Sequence, residues 1–418
     1  MAGCTSVLEA GGIEATRPAF VVEWNRIWLD VIRQWPQPAV AVARQAACLN
    51  VTLFDTLNAI AAARGERHFE HFHAPHEKPS PDTSRLAAVG AAAHTVLSEL
   101  FPVSTDIFDT RLAATLEFAT AYDRDIPAGK RFGESVANEV LTARADDGHD
   151  DPEIPPYRAC NDPKHNPGCW RGLARDGVWA SAHYATVDTW VIDTPNGTEF
   201  GRPPALESND YAEAWHEVYA YDYSGDVRAE DEVIAGLWSG GRGAITPAGR
   251  WMQIAMIVTE KRDLPMLEIA RLLARLGVGM ADAGICVWKA KYNYGFWRPK
   301  PAIHHGDADG NPETVSDRHW EPLHTGISPE YPSGLACFGA VASELLVDTF
   351  GSVKLPFEIT SFGTSERTMS FAGVGDAFEE SCESRIRFGS HFRFSVEDAI
   401  PVGRNIANRI NTDYAREQ

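Results

Sequence analysis

The sequence predicts an all-α protein built from two helical bundles packed in one domain. Apolar residues recur at spacings of three and four over long stretches, and prolines and glycines separate those stretches. No persistent alternation of apolar and polar residues suggests strands. With 418 residues, 44% of them hydrophobic and 23% charged, the composition is that of a globular protein that can bury a substantial core.

The first half of the chain predicts four or five amphipathic helices, which follow an N-terminal tail at residues 1–19. Their apolar positions are three and four residues apart, and the links between them are short. Short links favour antiparallel neighbours, so residues 20–145 are predicted to form a first bundle. The predicted helices are 20–35, 39–63, 84–100 and one or two within 105–144.

Residues 146–209 change in character and predict an irregular crossover that runs over the surface. Pro, Gly, Asn and Asp dominate this stretch, with isolated aromatic residues between them. Helical patterning then resumes in a second half at 210–411, interrupted by another irregular stretch at 298–331. The predicted helices there are 210–221, 229–240, 246–259, 264–291, 333–350, 370–388 and 396–410.

The balance of charge excludes several classes of partner. The chain has 38 Lys and Arg against 58 Asp and Glu, a formal net charge of −20. Nucleic-acid affinity depends on basic side chains that displace counterions from phosphates, so nucleic acid is not an expected partner. We find no apolar stretch of the roughly 20 residues that a membrane span needs and no secretory signal, and we predict a cytoplasmic protein.

The cysteines support the same expectation of a reducing compartment. Seven cysteines make an odd number, and they are scattered along the chain without a Cys-x-x-Cys pair. This pattern argues against a disulfide framework and against a thiolate zinc site.

Three short segments of the second half place cationic and small polar side chains at helix boundaries. Residues 291–299 have the form Lys-x6-Arg-Pro, residues 332–334 are Pro-Ser-Gly, and residues 384–391 have the form Ser-Arg-x5-His. A helix that begins with Pro-Ser-Gly offers free N–H groups to an anion. Guanidinium groups match the edges of an oxyanion. Each segment alone is a weak signal, because such side chains are more often solvated, salt-bridged or part of a core.

Together and in this order, the three segments resemble those of the vanadium-dependent haloperoxidases and the related type-2 phosphatidic acid phosphatases. The resemblance extends from the helix at Val21 to about Ile410 and implies a vanadium-haloperoxidase-like fold. It also implies that His391 bonds vanadate directly or attacks phosphorus, with Lys291 and Arg385 as further catalytic groups. The oxyanion-binding residues that it implies are Lys291, Arg298, Ser333, Gly334, Arg385 and His391.

The sequence departs from the family pattern at positions around the implied pocket. The family motif continues Pro-Ser-Gly-His, and this chain has Leu335 at the histidine position. Losing a positioned acid or base costs about 10²- to 10⁴-fold in rate. Ser395 stands where relatives often have an Asp that orients the histidine, and Ser328 where some have an aromatic residue beside the halide. Trp288 is retained.

Two acidic patterns suggest a different use of the pocket. The sequences at 146–150 and 209–217 look like the two metal motifs of class I terpene synthases, although Glu213 departs from the usual Ser or Thr. The alternative interpretations are a turn at the first pattern and a solvated helix face at the second. Oxygen ligands of this kind suit Mg²⁺. The predicted ligands are Asp146, Asp147, Asp150, Asn209, Glu213 and Glu217.

The leading hypothesis from the sequence is a non-redox enzyme that ionises and cyclises an isoprenoid diphosphate with Mg²⁺. Such chemistry needs charge neutralisation but no proton donor to the leaving group. The runner-up is a vanadium-dependent haloperoxidase that uses vanadate, in which another histidine replaces the missing one. An acid phosphatase and a non-catalytic phosphate-binding protein are further alternatives. The expected partner is a small diphosphate or phosphate-like anion, and a homodimer is left open. The candidate replacement histidines are His304, His305, His319 and His324.

Overall fold

The computed structural model describes residues 19–151, 166–171, 180–192, 200–239, 243–361, 367–414 and 416–418. It is helical over most of this length, which confirms the all-α prediction. Most predicted helices are found within a few residues of their expected ends. The helices are α1 (Ala19–Gln34), α2 (Ala39–Ala63), α3 (Arg85–Leu100), α4 (Thr105–Tyr122), α5 (Ile126–Ala143), α6 (Asn209–Tyr219), α7 (Ala229–Trp238), α8 (Thr246–Glu260), α9 (Met266–Tyr294), α10 (Pro299–His304), α11 (Gly334–Phe350), α12 (Val374–Arg387), α13 (Arg393–Glu397) and α14 (Ala399–Asp413).

The prediction was wrong about the segment before α12. Strands β1 (Phe357–Thr360) and β2 (Thr368–Phe371) form an antiparallel pair, so α12 begins at Val374 and not at Ser370. β1 alternates two buried and two exposed side chains, which is the period of a half-buried strand. Four residues are too few for that alternation to be distinguished from a loop in the sequence alone.

Helices α2 and α9 pack against each other at the centre of the molecule. The Cβ of any larger residue at Gly277 of α9 would lie 2.8 Å from the backbone of Ala46 in α2, so the two helices approach closely. One contiguous hydrophobic core includes side chains from α1 through α14. By length and hydropathy α2 is comparable to a membrane span, but 89% of its most apolar window is buried inside the protein. It has the features of a core helix.

The crossover between the halves is held against α9 by buried polar contacts. The Asp282 carboxylate accepts hydrogen bonds from the backbone N–H groups of Trp190, Val191 and Ile192, at 2.6, 2.9 and 3.2 Å. Further along α9, the Ala180 carbonyl accepts from Trp288 Nε1 at 3.0 Å. These contacts fix the part of the crossover that lies beside the site described below.

One cysteine differs from the expectation of reduced thiols. Cys169 is disulfide-bonded, whereas Cys48, Cys286, Cys337 and Cys382 are buried thiols outside any disulfide. Cys169 also pairs in an antiparallel bridge with Phe296, just before Arg298. The disulfide therefore lies next to a segment that the sequence analysis assigns to the oxyanion pocket.

Candidate active site

Helix ends bring five of the predicted oxyanion-binding residues to one buried place. Lys291 lies in the last turn of α9, and Arg298 and Ser333 are the N-caps of α10 and α11. Arg385 lies in the last turn of α12, and His391 in the loop that follows. All five are buried. Backbone bonds join the last two, because the N–H groups of Ser390 and His391 both donate to the Arg385 carbonyl.

Local sequence explains this convergence. Gly295 adopts the left-handed conformation with φ 55° and ends α9 four residues after Lys291, a position that favours glycine. A Cβ on Gly334, the sixth predicted residue, would lie 3.3 Å from the Trp288 ring, one turn before Lys291. The N-terminus of α11, where the Ser333 hydroxyl accepts from the Ala336 N–H, therefore sits against the end of α9.

The three cations of the site donate hydrogen bonds to carbonyl and hydroxyl oxygens and not to carboxylates. Lys291 Nζ lies 2.7 Å from the Pro329 carbonyl oxygen and 3.0 Å from that of Glu330. Arg298 donates to the carbonyls of Ser328 and Ser390, and Arg385 to Ser384 Oγ. Within the described part of the chain, none of the three forms an ion pair. Their positive charge is available to an anion.

The pKa values reflect three cations buried together. Burial lowers the pKa of Arg298 and that of Arg385 to about 10 each. Burial, reinforced by Arg298, lowers the pKa of Lys291 well below its usual range. The same causes, with Lys291 and Arg385, lower the pKa of His391, so its imidazole is neutral. An anion that entered would stabilise each charged form.

Glu330 is the functional residue that the sequence analysis missed. Its Oε1 accepts from His391 Nδ1 at 3.0 Å and from the Phe392 backbone N–H at 2.9 Å. The opposite ring nitrogen, His391 Nε2, lies 3.0 Å from Arg298 Nη1. A carboxylate on Nδ1 fixes the tautomer, so Nε2 presents its lone pair to the cations. The other carboxylate oxygen of Glu330, Oε2, has no hydrogen-bond partner among the described residues.

This contact corrects the expectation built on Ser395. The sequence suggested that a carboxylate to orient His391 was missing, but Glu330 supplies it from 61 residues earlier in the chain. Ser395 instead fixes the backbone: its carbonyl accepts from Ser333 N–H at 2.9 Å, and its hydroxyl lies 3.4 Å from the Glu330 carbonyl. The signal that was available is an acidic residue directly before Tyr-Pro-Ser-Gly.

The other three residues that the sequence assigns to the pocket are Ser328, Trp288 and Leu335. Ser328 is buried and accepts from Arg298 through both its carbonyl, at 2.9 Å, and its hydroxyl, at 3.1 Å. The Trp288 ring lies 5.9 Å from Lys291 Nζ. Leu335 is buried in the first turn of α11. A leucine at this position cannot donate or accept a proton.

The predicted magnesium ligands are not brought together. Asp147 is buried in ion pairs with Arg44 and Arg144 at 2.8 and 2.9 Å, and Glu217 pairs with Arg393 at 2.6 Å. The other four side chains are solvent-exposed. Over the described ranges, no three His, Cys, Asp or Glu side chains gather as a metal ion would need. The magnesium prediction is unsupported because its buried members already have cationic partners. The exposed members are Asp146, Asp150, Asn209 and Glu213.

Three of the four candidate replacement histidines lie near the site. His324 Nδ1 is 3.3 Å from Ser390 Oγ, next to His391. His304 and His305 line a cavity that has Arg298 in its wall. His319 lies on the exposed loop that precedes Trp320. His304 uses Nε2 to contact the Trp320 carbonyl at 2.8 Å.

Comparison with known proteins shows which proteins have a similar sequence and fold. A model of the VCPO second helical-bundle domain matches residues 271–417, the range that contains Lys291, Arg298, Ser333, Arg385 and His391. The chain has the vanadium-haloperoxidase fold.

Relatives of known sequence and structure agree with this assignment. A vanadium chloroperoxidase of Curvularia inaequalis is 25% identical in an alignment 402 residues long, and the match covers 78% of this chain and 65% of that protein's length. The structure of a bacterial vanadium-dependent iodoperoxidase has a TM-score of 0.80 at 21% identity and covers 98% of both chains. A holo-type bacterial vanadium-dependent chloroperoxidase has a TM-score of 0.69 at 16% identity, covering 90% of this chain and 92% of its own. The superfamily fold thus extends over nearly the whole chain.

Proposed function

We propose that the chain is a vanadate-binding enzyme of this superfamily that oxidises halide with peroxide, and that it does so slowly. The observation that carries the proposal is the placement of His391 between Glu330 and Arg298. The Glu330 carboxylate accepts a hydrogen bond from Nδ1–H, so the unprotonated Nε2 points into a group of three buried cations. A nitrogen lone pair within such a group suits a tetrahedral oxyanion of several negative charges.

The residues present fit vanadate. His391 Nε2 would bind it, the cations Lys291, Arg298 and Arg385 would neutralise its charge, and Ser333 with the Gly334 N–H would orient it. Bound vanadate supplies a Lewis acid that activates peroxide toward halide. The chain itself excludes water, since every one of these side chains is buried, and holds the Nδ1 proton between His391 and Glu330.

Leu335 is the reason to propose slow turnover. A positioned general acid or base contributes about 10²- to 10⁴-fold in rate, and leucine supplies none. His324 is the histidine side chain nearest in contact to His391, through Ser390, and it lies outside the first turn of α11. We therefore expect the activity to fall below that of an enzyme with a histidine at this position by up to that factor.

A second candidate function uses the same anion-binding residues for a different reaction: ionisation and cyclisation of an isoprenoid diphosphate. Leu335 favours it, because departure of a diphosphate requires charge neutralisation and no proton. Its cationic assistance would come from Lys291, Arg298 and Arg385 alone, since the predicted magnesium ligands do not gather. The cyclisation therefore lacks support from a metal site.

The deciding experiment incubates the protein with vanadate, hydrogen peroxide and either iodide or bromide, and follows halogenation of a phenolic dye. A parallel sample contains farnesyl diphosphate and Mg²⁺ without vanadate. The proposal predicts vanadate-dependent halogenation and no terpene product. Terpene hydrocarbon or alcohol without halogenation would support the second candidate. The matched variant is Arg385→Gln, which should lose the activity in either case.

Leu335→His is the gain-of-function test of the same proposal. If only the acid is missing, this variant should halogenate at least about tenfold faster than the wild type, within the range that a general acid contributes. Leu335→Gln is the control, because glutamine is polar and similar in size but has no group that titrates near neutral pH. Equal rates for all three proteins would show that the slow step lies elsewhere and would contradict the role assigned to position 335.

A further inference from the structure

A small cavity lies beside Arg298, which is the one oxyanion-binding residue among its described lining residues. Its volume is about 270 Å³, and its lining includes Trp170, Arg171, Arg298, Lys300 and Ile327. This is close to the lower end of the range of small-molecule sites and suits a single-ring compound. Because Arg298 also contacts His391 Nε2 at 3.0 Å, an occupant of the cavity would lie directly beside the proposed vanadate site.

The cavity is cationic in an acidic protein. The chain carries a formal charge of −20, yet three basic residues and none of the acidic ones line this cavity in the described part of the chain. Lys300 Nζ also pairs with Glu321 at 2.6 Å, but Glu321 is not part of the described lining. The local excess of positive charge favours an anionic occupant.

The remaining lining is suited to a ring. Trp170 is buried and forms part of the wall, and Ile327 exposes 65% of its surface at the rim. An exposed isoleucine next to a cationic cavity offers apolar contact to a ligand whose other end is charged. Gly326 lets the rim lie directly on Arg298, since a Cβ there would be 2.4 Å from Nη2. The cavity therefore combines an apolar edge with a cationic floor.

We propose that this cavity is the subsite for the organic substrate and that it takes a single-ring aromatic carboxylate. The carboxylate would lie toward Arg171 and Lys300, and the ring would contact Trp170 and Ile327. This inference rests on the proposed function for its catalytic meaning, but binding in the cavity is measurable without turnover.

The test titrates 4-hydroxybenzoate into the full-length protein by calorimetry, with and without saturating vanadate. The neutral analogue 4-hydroxybenzyl alcohol, of similar size, is the matched ligand. We expect saturable binding of the carboxylate and at least about tenfold weaker binding of the alcohol, because charge-assisted hydrogen bonds are worth that factor or more. Saturating vanadate should leave the carboxylate bound, since the two ligands occupy neighbouring sites.

Two variants test whether 4-hydroxybenzoate binds in the cavity. Thr325→Asp adds a carboxylate to the exposed rim without removing a buried contact, and Lys300→Gln removes a cation. Each should weaken 4-hydroxybenzoate about tenfold. Lys354→Gln, which removes an exposed lysine on the loop before β1, should have no effect.

Three results would overturn the inference: equal affinity for the carboxylate and the alcohol, unchanged affinity in Thr325→Asp, or displacement of the carboxylate by vanadate. Vanadate binding is measured in the same samples. Vanadate binding without 4-hydroxybenzoate binding would therefore reject the subsite and leave the proposed function standing. Absence of vanadate binding would reject the proposed function by itself.

Discussion

Asp147 and Glu330 are both buried carboxylates among arginines, and they behave in opposite ways. Both oxygens of Asp147 have partners: Arg44 and Arg144 on Oδ2, and His149 on Oδ1 at 2.8 Å. Burial alone raises the pKa of Asp147, but the bonds from His149 and Arg44 outweigh it and hold that pKa well below its usual range. This carboxylate is permanently charged and neutralised by its cations.

Glu330 has cations nearby but no ion pair with them. Its bonds come from His391 and the Phe392 backbone, while Lys291 and Arg298 donate to carbonyl oxygens. Burial therefore prevails and raises the pKa of Glu330 to about 7, although Arg298 and Lys291 act in the opposite direction. In the structural network around Asp147 the arginines pair with the carboxylate. At the candidate site Lys291 and Arg298 pair with no carboxylate of the described residues, so their charge can neutralise a bound anion.

The largest effect should come from breaking the structural network. Asp147→Asn leaves Arg44 buried without a carboxylate and should lower the free energy of unfolding by about 3 kcal/mol, as for other buried pairs. Urea denaturation measures it. Asp150→Asn, three residues away with a side chain 89% exposed, should change it by less than about 0.5 kcal/mol. Equal effects in the two variants would show that Asp147 is not a structural residue.

Glu330→Gln should raise the free energy of unfolding relative to the wild type, whereas Asp147→Asn lowers it, and the size of the gain should depend on pH. The folded pKa of about 7 lies above the usual 4.5, so the contribution of Glu330 is fully present below pH 4.5 and is lost as pH rises through about 7. Without vanadate, the wild type should lose roughly 2–3 kcal/mol relative to Glu330→Gln between pH 5 and 8. Denaturation at both pH values measures it. Burial also raises the pKa of Asp282, to about 6. Asp282 is present in both proteins, so its pH-dependent contribution cancels in the difference between them.

A difference between wild type and Glu330→Gln that stays constant from pH 5 to 8 would contradict the raised pKa. A large destabilisation of Glu330→Gln at both pH values would instead make Glu330 a structural partner of the same kind as Asp147.

The smallest effect is expected at the sequence-predicted magnesium ligands. Glu217 and Arg393 form a half-exposed pair, with 35% and 29% of their side chains exposed, so Glu217→Gln should cost about 0.5 kcal/mol or less. Addition of Mg²⁺ should leave the thermal midpoint of both proteins unchanged, as measured by calorimetry. A thermal midpoint that rises with Mg²⁺ in the wild type and not in Glu217→Gln would show that Glu217 binds the metal ion after all.

The helices could be predicted from the sequence because each depends on contacts three and four residues apart. The residues 39–63 of α2 follow from that spacing and from the prolines before them. The residues of the candidate site were named through a resemblance of three segments, each at the end of a helix. Their side chains come together only through the packing of α9, α11 and α12.

The rest depends on contacts that no local pattern encodes. Glu330 meets His391 across 61 residues, and its role appears only when the loop before α11 lies on the loop after α12. Asp147 matched a metal motif in sequence, but Arg44, 103 residues earlier, takes its carboxylate. An acidic residue does not reveal in sequence whether its partner is a metal, a histidine or an arginine.

The most direct test of the central claim is a vanadate titration of the wild type, Arg385→Gln and Arg144→Gln, followed by the vanadium-51 resonance. The two variants each remove one arginine, the first from the candidate site and the second from the network around Asp147. We predict one saturable site in the wild type, at least about tenfold weaker binding in Arg385→Gln, and unchanged binding in Arg144→Gln. No saturable binding, or equal losses in the two variants, would contradict the account.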